Sequence, residues 1–150
     1  MSTISPDVIS AAQKAQKTWN VPASVALAQF GLESAWGTKM PAGSNNPFGM
    51  KAAGGQASVP ARTREVVHGQ SVYITAQFRK FADFAEAFDA HGRMIATLDC
   101  YAPAMHAWEA THDVDRFVAA LAPVYATDPH YHDLIMSIIH SRNLTQYDLH

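Results

Sequence analysis

The stretch ALAQFGLESAWG, residues 26–37, decides how the rest of the chain is read. Val25, Ala28, Leu32 and Trp36 recur at three- and four-residue intervals, the period of one face of an α-helix. Pro22 opens this helix and Gly37 supplies its stop. One acidic residue, Glu33, lies inside it. On a helix its neighbours one turn back are Gln29 and Phe30, with Ala26 beyond. Apolar neighbours strip water from a carboxyl, favour its neutral form and raise its pKa. The negative end of the helix dipole acts in the same sense. A general acid working near neutral pH needs such a raised pKa. A surface glutamate near a helix end has the same spacing, so spacing alone leaves both readings open.

Outward from this helix the pattern alternates between two periods. Ser5-Pro6 reads as an N-cap followed by a first helical residue, and Val8, Ala12, Ala15 and Trp19 predict an amphipathic helix over 6–19. Residues 38–61 hold glycines and prolines with little periodicity and are expected to form a long ordered loop, a type that is usually functional. Val72, Ile74, Ala76 and Phe78 then alternate with polar residues, which is strand spacing. A preceding strand over about 63–67 and a turn at His68-Gly69-Gln70 complete one hairpin. Phe81, Phe84, Phe88, His91 and Ile95 restore the helical period and predict a helix near 83–98. Shorter helices are expected near 103–110 and 113–121. Asp128-Pro129 reads as another cap and start, with Tyr131, Ile135 and Ile138 on one face to about Ser141. The expected fold is α+β and mostly helical, with one β-hairpin, as a single domain over 1–150.

Composition narrows the function. The chain has 150 residues, 48% hydrophobic and 16% charged, which suits a packed core and argues against disorder. Its formal net charge is −2 with scattered basic residues, so no nucleic-acid surface is expected. Cys100 is the one cysteine, which excludes an internal disulfide, and it has no activating partner nearby in sequence. No run is long enough for a membrane span, and the first residues lack the basic and apolar segments of a Sec signal. His130, His132 and His140 do not carry metal-ligand spacing, and neither metal nor cofactor is expected.

Four segments in order add a resemblance. ALAQFGLESAWG followed by SNNPFGMKA, then TREVVHGQ, QFRKFADFAEAFDAH and YATDPHYHDLI, resemble the motifs of glycoside hydrolase family 73, glucosaminidases related to the flagellar muramidase domain. The matches run from about residue 21 to 136. The resemblance implies a lysozyme-like domain with a β-hairpin lobe. It implies an endo-β-N-acetylglucosaminidase that hydrolyses the β-1,4 bond between N-acetylglucosamine and N-acetylmuramic acid in peptidoglycan.

Carried over by position, Glu33 is the general acid, Glu65 the hairpin carboxylate proposed as second catalytic group, and Tyr125 the active-site tyrosine. Thr63 of the Thr-x-Glu segment and Tyr131 of the last motif are expected at the substrate. Asn46, Phe48 and Lys51 fall in the loop that shapes the groove floor, and Trp36 and Phe48 are candidates for an aromatic wall, although Trp36 fits a core position equally. Thr127 and Asp128 read as a helix cap. The role of Glu65 stays open, because an N-acetyl sugar can supply its own nucleophile. A lytic transglycosylase and a noncatalytic glycan-binding module are the rival activities. Without a Sec signal, the expected setting is a cytoplasmically made type VI secretion effector acting in a target cell's periplasm, with a cognate immunity protein occluding its groove. A phage endolysin is the alternative.

Overall fold

The computed structural model describes residues 3–150. Met1 and Ser2, at the head of the stretch read as lacking a leader, lie outside the described residues. Six α-helices and one antiparallel hairpin, which stands out as a largely exposed lobe, make up the fold among the described residues. The helices are α1 (Pro6–Trp19), α2 (Ala23–Ser34), α3 (Phe84–Thr97), α4 (Ala102–Thr111), α5 (Val114–Tyr125) and α6 (Tyr131–Ser141). Strands β1 (Ser58–Val67) and β2 (Gln70–Arg79) lie between α2 and α3.

Helix α2 is the central element. Every residue from Ala23 to Gly31 is buried, as expected of a helix that is apolar nearly all round. Val25, Leu27 and Phe30 meet Phe88 and Ile95 of α3, Phe117 and Leu121 of α5, and Ile135 and Ile139 of α6 in one continuous core. The helix stops two residues short of Trp36. The Ser34 hydroxyl bonds back to the Phe30 carbonyl at 2.6 Å and accepts from Gly37 N–H at 2.8 Å. Ala35 and Trp36 then take positive φ values of 49° and 59°. This reversal folds the Trp36 indole back onto Gly31, whose missing Cβ leaves the space it needs. Trp36 is therefore not on the α2 face with Val25, Ala28 and Leu32, contrary to the periodic reading.

Two other differences have local causes. The expected loop over 38–61 is shorter, because β1 begins at Ser58. Pro60 sits within this strand, and β1 is an edge strand, where proline is tolerated. Helix α5 runs past the expected end at 121 to Tyr125. Pro123 falls in its last turn, and Ala126 N–H still bonds to the Ala122 carbonyl at 3.1 Å. Asp128 does not cap α6 directly. It accepts from His130 N–H at 2.8 Å in an Asx turn, and the helix begins at Tyr131.

The hairpin turns through His68 and Gly69, with φ of 51° and 78°. Two positive φ values in succession match the type I′ turn, whose twist suits two-residue hairpins. Val59, Ala61, Thr63 and Glu65 share one face of β1 and are half-buried, whereas the alternate positions are exposed. β2 is also bridged on its other side, where Lys51 pairs with Phe78.

Candidate active site

Glu33 lies in the last turn of α2 and forms one wall of a cleft of about 500 Å³. Met40, Pro41 and Asn46 come from the loop after α2, while Ala61, Thr63 and Phe78 come from the hairpin. The long loop is ordered by its own polar groups. Asn46 Nδ2 donates to the Met50 carbonyl at 2.8 Å and to the Arg79 carbonyl at 2.9 Å. Asn46 Oδ1 accepts from Phe48 N–H at 3.3 Å and Met50 N–H at 3.2 Å. Asn46 thus clamps the loop to the end of β2. Its amide donors are both committed to backbone carbonyls, so although Asn46 lines the cleft its side chain holds the loop.

The Glu33 carboxyl reaches solvent through the cleft, yet burial by the surrounding chain raises its pKa above the ordinary carboxylate value. A hydrogen bond from Tyr131 acts in the opposite sense and is outweighed. Tyr131 Oη donates to Glu33 Oε1 at 3.2 Å. The Tyr131 Oη itself accepts from Gln29 Nε2 at 3.0 Å. Gln29 Oε1 in turn lies 2.7 Å from His91 Nε2. Gln29 precedes Glu33 by four residues and projects from the same side of α2. Tyr131 is only 4% exposed, so its hydroxyl reaches the carboxyl rather than open groove.

Tyr125 stacks on Tyr131 with ring centroids 5.7 Å apart and an interplanar angle of 19°. Burial first, then Tyr131 and Glu33, raise its hydroxyl pKa far above the usual tyrosine range. It is a neutral hydrogen-bond donor at every ordinary pH. Tyr125 also lines a second cavity with Pro123, Thr127, Pro129 and His132. Thr127 lies there too, but the N-cap position of α6 is His130 and no side chain among the described residues caps it.

The other expected residues separate. Thr63 lines the Glu33 cleft. Glu65 lies two residues further on the same strand face and pairs with Lys51 Nζ at 2.5 Å. Lys51 is bridged to Phe78, while Glu65 stands opposite Val72, six residues along β2. A flat strand would separate those levels by about 20 Å. The ion pair therefore requires a hairpin that curls back toward the loop. Phe48 is 6% exposed and packs on Phe88 at 5.0 Å and on His91 at 4.2 Å, so it is core and not an aromatic wall. Trp36 lines a separate apolar cavity with Ile4, Val8, Phe30 and Phe84, under the guanidinium of Arg142. Neither ring faces the Glu33 cleft.

Gln29 and His91 are the members of the site that sequence reasoning passed over as mere helix-face neighbours. The available signal was polarity at two positions of otherwise apolar stripes. Among the described residues, no group of three or more His, Cys, Asp or Glu side chains is arranged to hold a metal ion.

The chain matches the family model described as Glucosaminidase, mannosyl-glycoprotein endo-beta-N-acetylglucosaminidase, over residues 9–144. It is 34% identical over 143 residues to the exo-glucosaminidase LytG of Bacillus subtilis, covering 91% of this chain and 50% of LytG. It is 31% identical over 134 residues to the peptidoglycan hydrolase FlgJ of Vibrio cholerae, covering 85% of this chain and 39% of that protein. The chain thus spans half or less of these relatives' lengths. Among solved structures, the catalytic domain of the Listeria monocytogenes autolysin Auto superposes with a TM-score of 0.86 at 27% identity, covering 99% of this chain and 91% of that one. A glycoside hydrolase domain of Salmonella typhimurium FlgJ gives a TM-score of 0.71 at 26% identity, covering 91% and 96%.

Proposed function

The chain belongs to the glucosaminidase family, and on that premise we propose that it hydrolyses the β-1,4 bond between N-acetylglucosamine and N-acetylmuramic acid in peptidoglycan, with Glu33 as proton donor. The observation that carries this reading is the Glu33 carboxyl itself. It is partly desolvated, open to a cleft and held on one oxygen by Tyr131. The relatives' printed activities, exo-glucosaminidase and peptidoglycan hydrolase, support the substrate class.

Glu33 protonates the glycosidic oxygen as the bond to the anomeric carbon breaks. The carboxylate left behind keeps the Tyr131 hydrogen bond, which favours its charged form. Thr63 and the neighbouring hairpin face bind the glycan. Glu65 is the second carboxylate, acting on water once Lys51 yields it, and Tyr125 contributes by backing the Tyr131 ring that holds Glu33. Glu65→Gln tests this route against nucleophilic attack by the acetamide, in which the sugar's own carbonyl oxygen attacks the anomeric carbon in place of a carboxylate-activated water.

Glu33→Gln is expected to lower digestion of purified sacculi by about 10²–10⁴-fold, the range of general acid catalysis. Lysis equal to the parent's would reject the assignment. Mass spectrometry of the fragments should find reducing ends, and anhydromuramyl ends would make the protein a lytic transglycosylase.

The cell-wall hydrolases among its relatives support action outside the cytoplasm. The finer setting, an antibacterial secretion effector with a cognate immunity protein, rests only on likeness in size. Neutralisation of sacculus digestion by the product of an adjacent gene would support it, and an adjacent holin gene would favour an endolysin.

A further inference from the structure

We infer that His91 sets the direction of a buried hydrogen-bond chain, His91–Gln29–Tyr131–Glu33, which makes Tyr131 a donor to Oε1 of Glu33 and leaves Oε2 to carry the acid's proton. The inference rests on the reading of Glu33 as proton donor.

The direction follows from one orphaned atom. His91 is fully buried, and its Nδ1 has no hydrogen-bond partner. Phe48 stacks on one side of the ring and Tyr125 meets it edge-on at 6.2 Å. Burial lowers its pKa to about 3, so the imidazole is neutral and carries one N–H. A proton on Nδ1 would be an orphaned buried donor, which folded proteins almost never tolerate. The proton therefore sits on Nε2, where Gln29 Oε1 accepts it at 2.7 Å. With its oxygen facing His91, Gln29 turns its amide N–H to the Tyr131 oxygen. That oxygen is now occupied as an acceptor, and its own proton points to Glu33 Oε1.

The reverse arrangement has a distinct consequence. An Nδ1–H tautomer would flip the Gln29 amide, and Tyr131 would donate to Gln29 instead. Glu33 would then lose its donor, and the carboxylate produced by proton transfer would be less stable. Gln29 and His91 are thus positioning residues acting through Tyr131. The titratable groups facing the chain are Glu33 on α2, Tyr125 and Tyr131 on α5 and α6, and Tyr101 in the turn before α4.

Nitrogen-15 NMR of the wild-type protein tests the direction without any substitution. The expected spectrum shows His91 protonated on Nε2 and bare on Nδ1, with no titration down to about pH 4. An Nδ1–H tautomer overturns the inference. Carbon-13 titration of Glu33 tests its consequence in Gln29→Leu and His91→Phe. His91→Phe frees the Gln29 amide to flip and is expected to raise the Glu33 pKa and lower kcat about tenfold with KM retained, the effect of loosening one hydrogen bond to an ionised group, whereas Gln29→Leu leaves the Tyr131 hydroxyl no acceptor but Glu33 and is expected to keep the Glu33 titration near the parent's. A folded His91→Phe variant with reduced kcat but an unmoved Glu33 titration would leave His91 purely structural and refute the claim. An active Glu33→Gln variant would instead reject the proton-donor reading while leaving the His91 tautomer and Glu33 titration as measured.

Discussion

Asp148, at the far end of the chain, caps the helix that carries Glu33, and replacing it with alanine tests how that helix is held. Helix α2 follows Pro22, which offers no side-chain cap. Asp148 supplies one from 124 residues away: Oδ1 accepts from Ser24 N–H at 2.7 Å, and Oδ2 accepts from the Ser24 hydroxyl at 2.8 Å. Ser24 is fully buried and Asp148 is 8% exposed, so water cannot replace the carboxylate without local opening. Asp148→Ala strands two buried donors, each worth about 1–3 kcal/mol. Part of this is offset, because burial outweighs the hydrogen bonds and leaves the Asp148 pKa raised. A net loss of about 2 kcal/mol is expected, a fall in Tm of about 4–8 °C for a chain of this size. Asp148→Asn keeps an acceptor for Ser24 N–H and turns its amide toward the hydroxyl oxygen, so it should cost less than about 1 kcal/mol. The sign with pH is fixed by the raised pKa: the folded state binds the Asp148 proton more tightly than the unfolded chain. Stability from this group therefore increases as pH falls through the raised value toward the ordinary one, and the Asn variant lacks that increase. Thermal unfolding followed by circular dichroism at several pH values measures all three proteins. An alanine variant within about 0.5 kcal/mol of the parent, or an asparagine variant as unstable as alanine, would refute the capping argument.

Glu33 carries the same linkage sign, so Glu33→Gln should be more stable than the parent above the raised Glu33 pKa, with the gain fading as pH falls to the ordinary carboxylate range; a gain that persists there would contradict it. Gly31→Ala places a Cβ 2.4 Å from Trp36 Cζ2 and should destabilise by about 1–3 kcal/mol, with the loss reduced when Trp36 is also truncated in a double-mutant cycle. Lys51→Met removes a half-exposed ion pair worth at most about 1 kcal/mol, so Tm should scarcely move, while hydrogen exchange near Glu65 should quicken if the pair holds the hairpin curled.

Much of the fold was legible because its determinants are local. Ser5-Pro6 starts α1 where expected, and the change from helical to alternating period locates the hairpin. His68-Gly69 supplies the two positive φ values its turn needs. Glu33 was legible as a candidate because its apolar neighbours lie within one turn of the same helix. Trp36 was misplaced because periodicity cannot register a chain reversal driven by an indole docking on Gly31. Asn46 and Phe48 were correctly placed in the loop beside the cleft, but their side chains are used up by backbone carbonyls and by the core.

By itself, the sequence determined the helices, the single hairpin and the carboxylate at the end of α2, since these follow from spacing over a few residues. Only the tertiary structure decided what Glu33 touches. Tyr131 is 98 residues from Glu33, His91 is 62 from Gln29, and Asp148 is 124 from Ser24. Hydrogen bonds need partners within about 3 Å, and no local pattern encodes which distant polar group the packed core will bring to that distance.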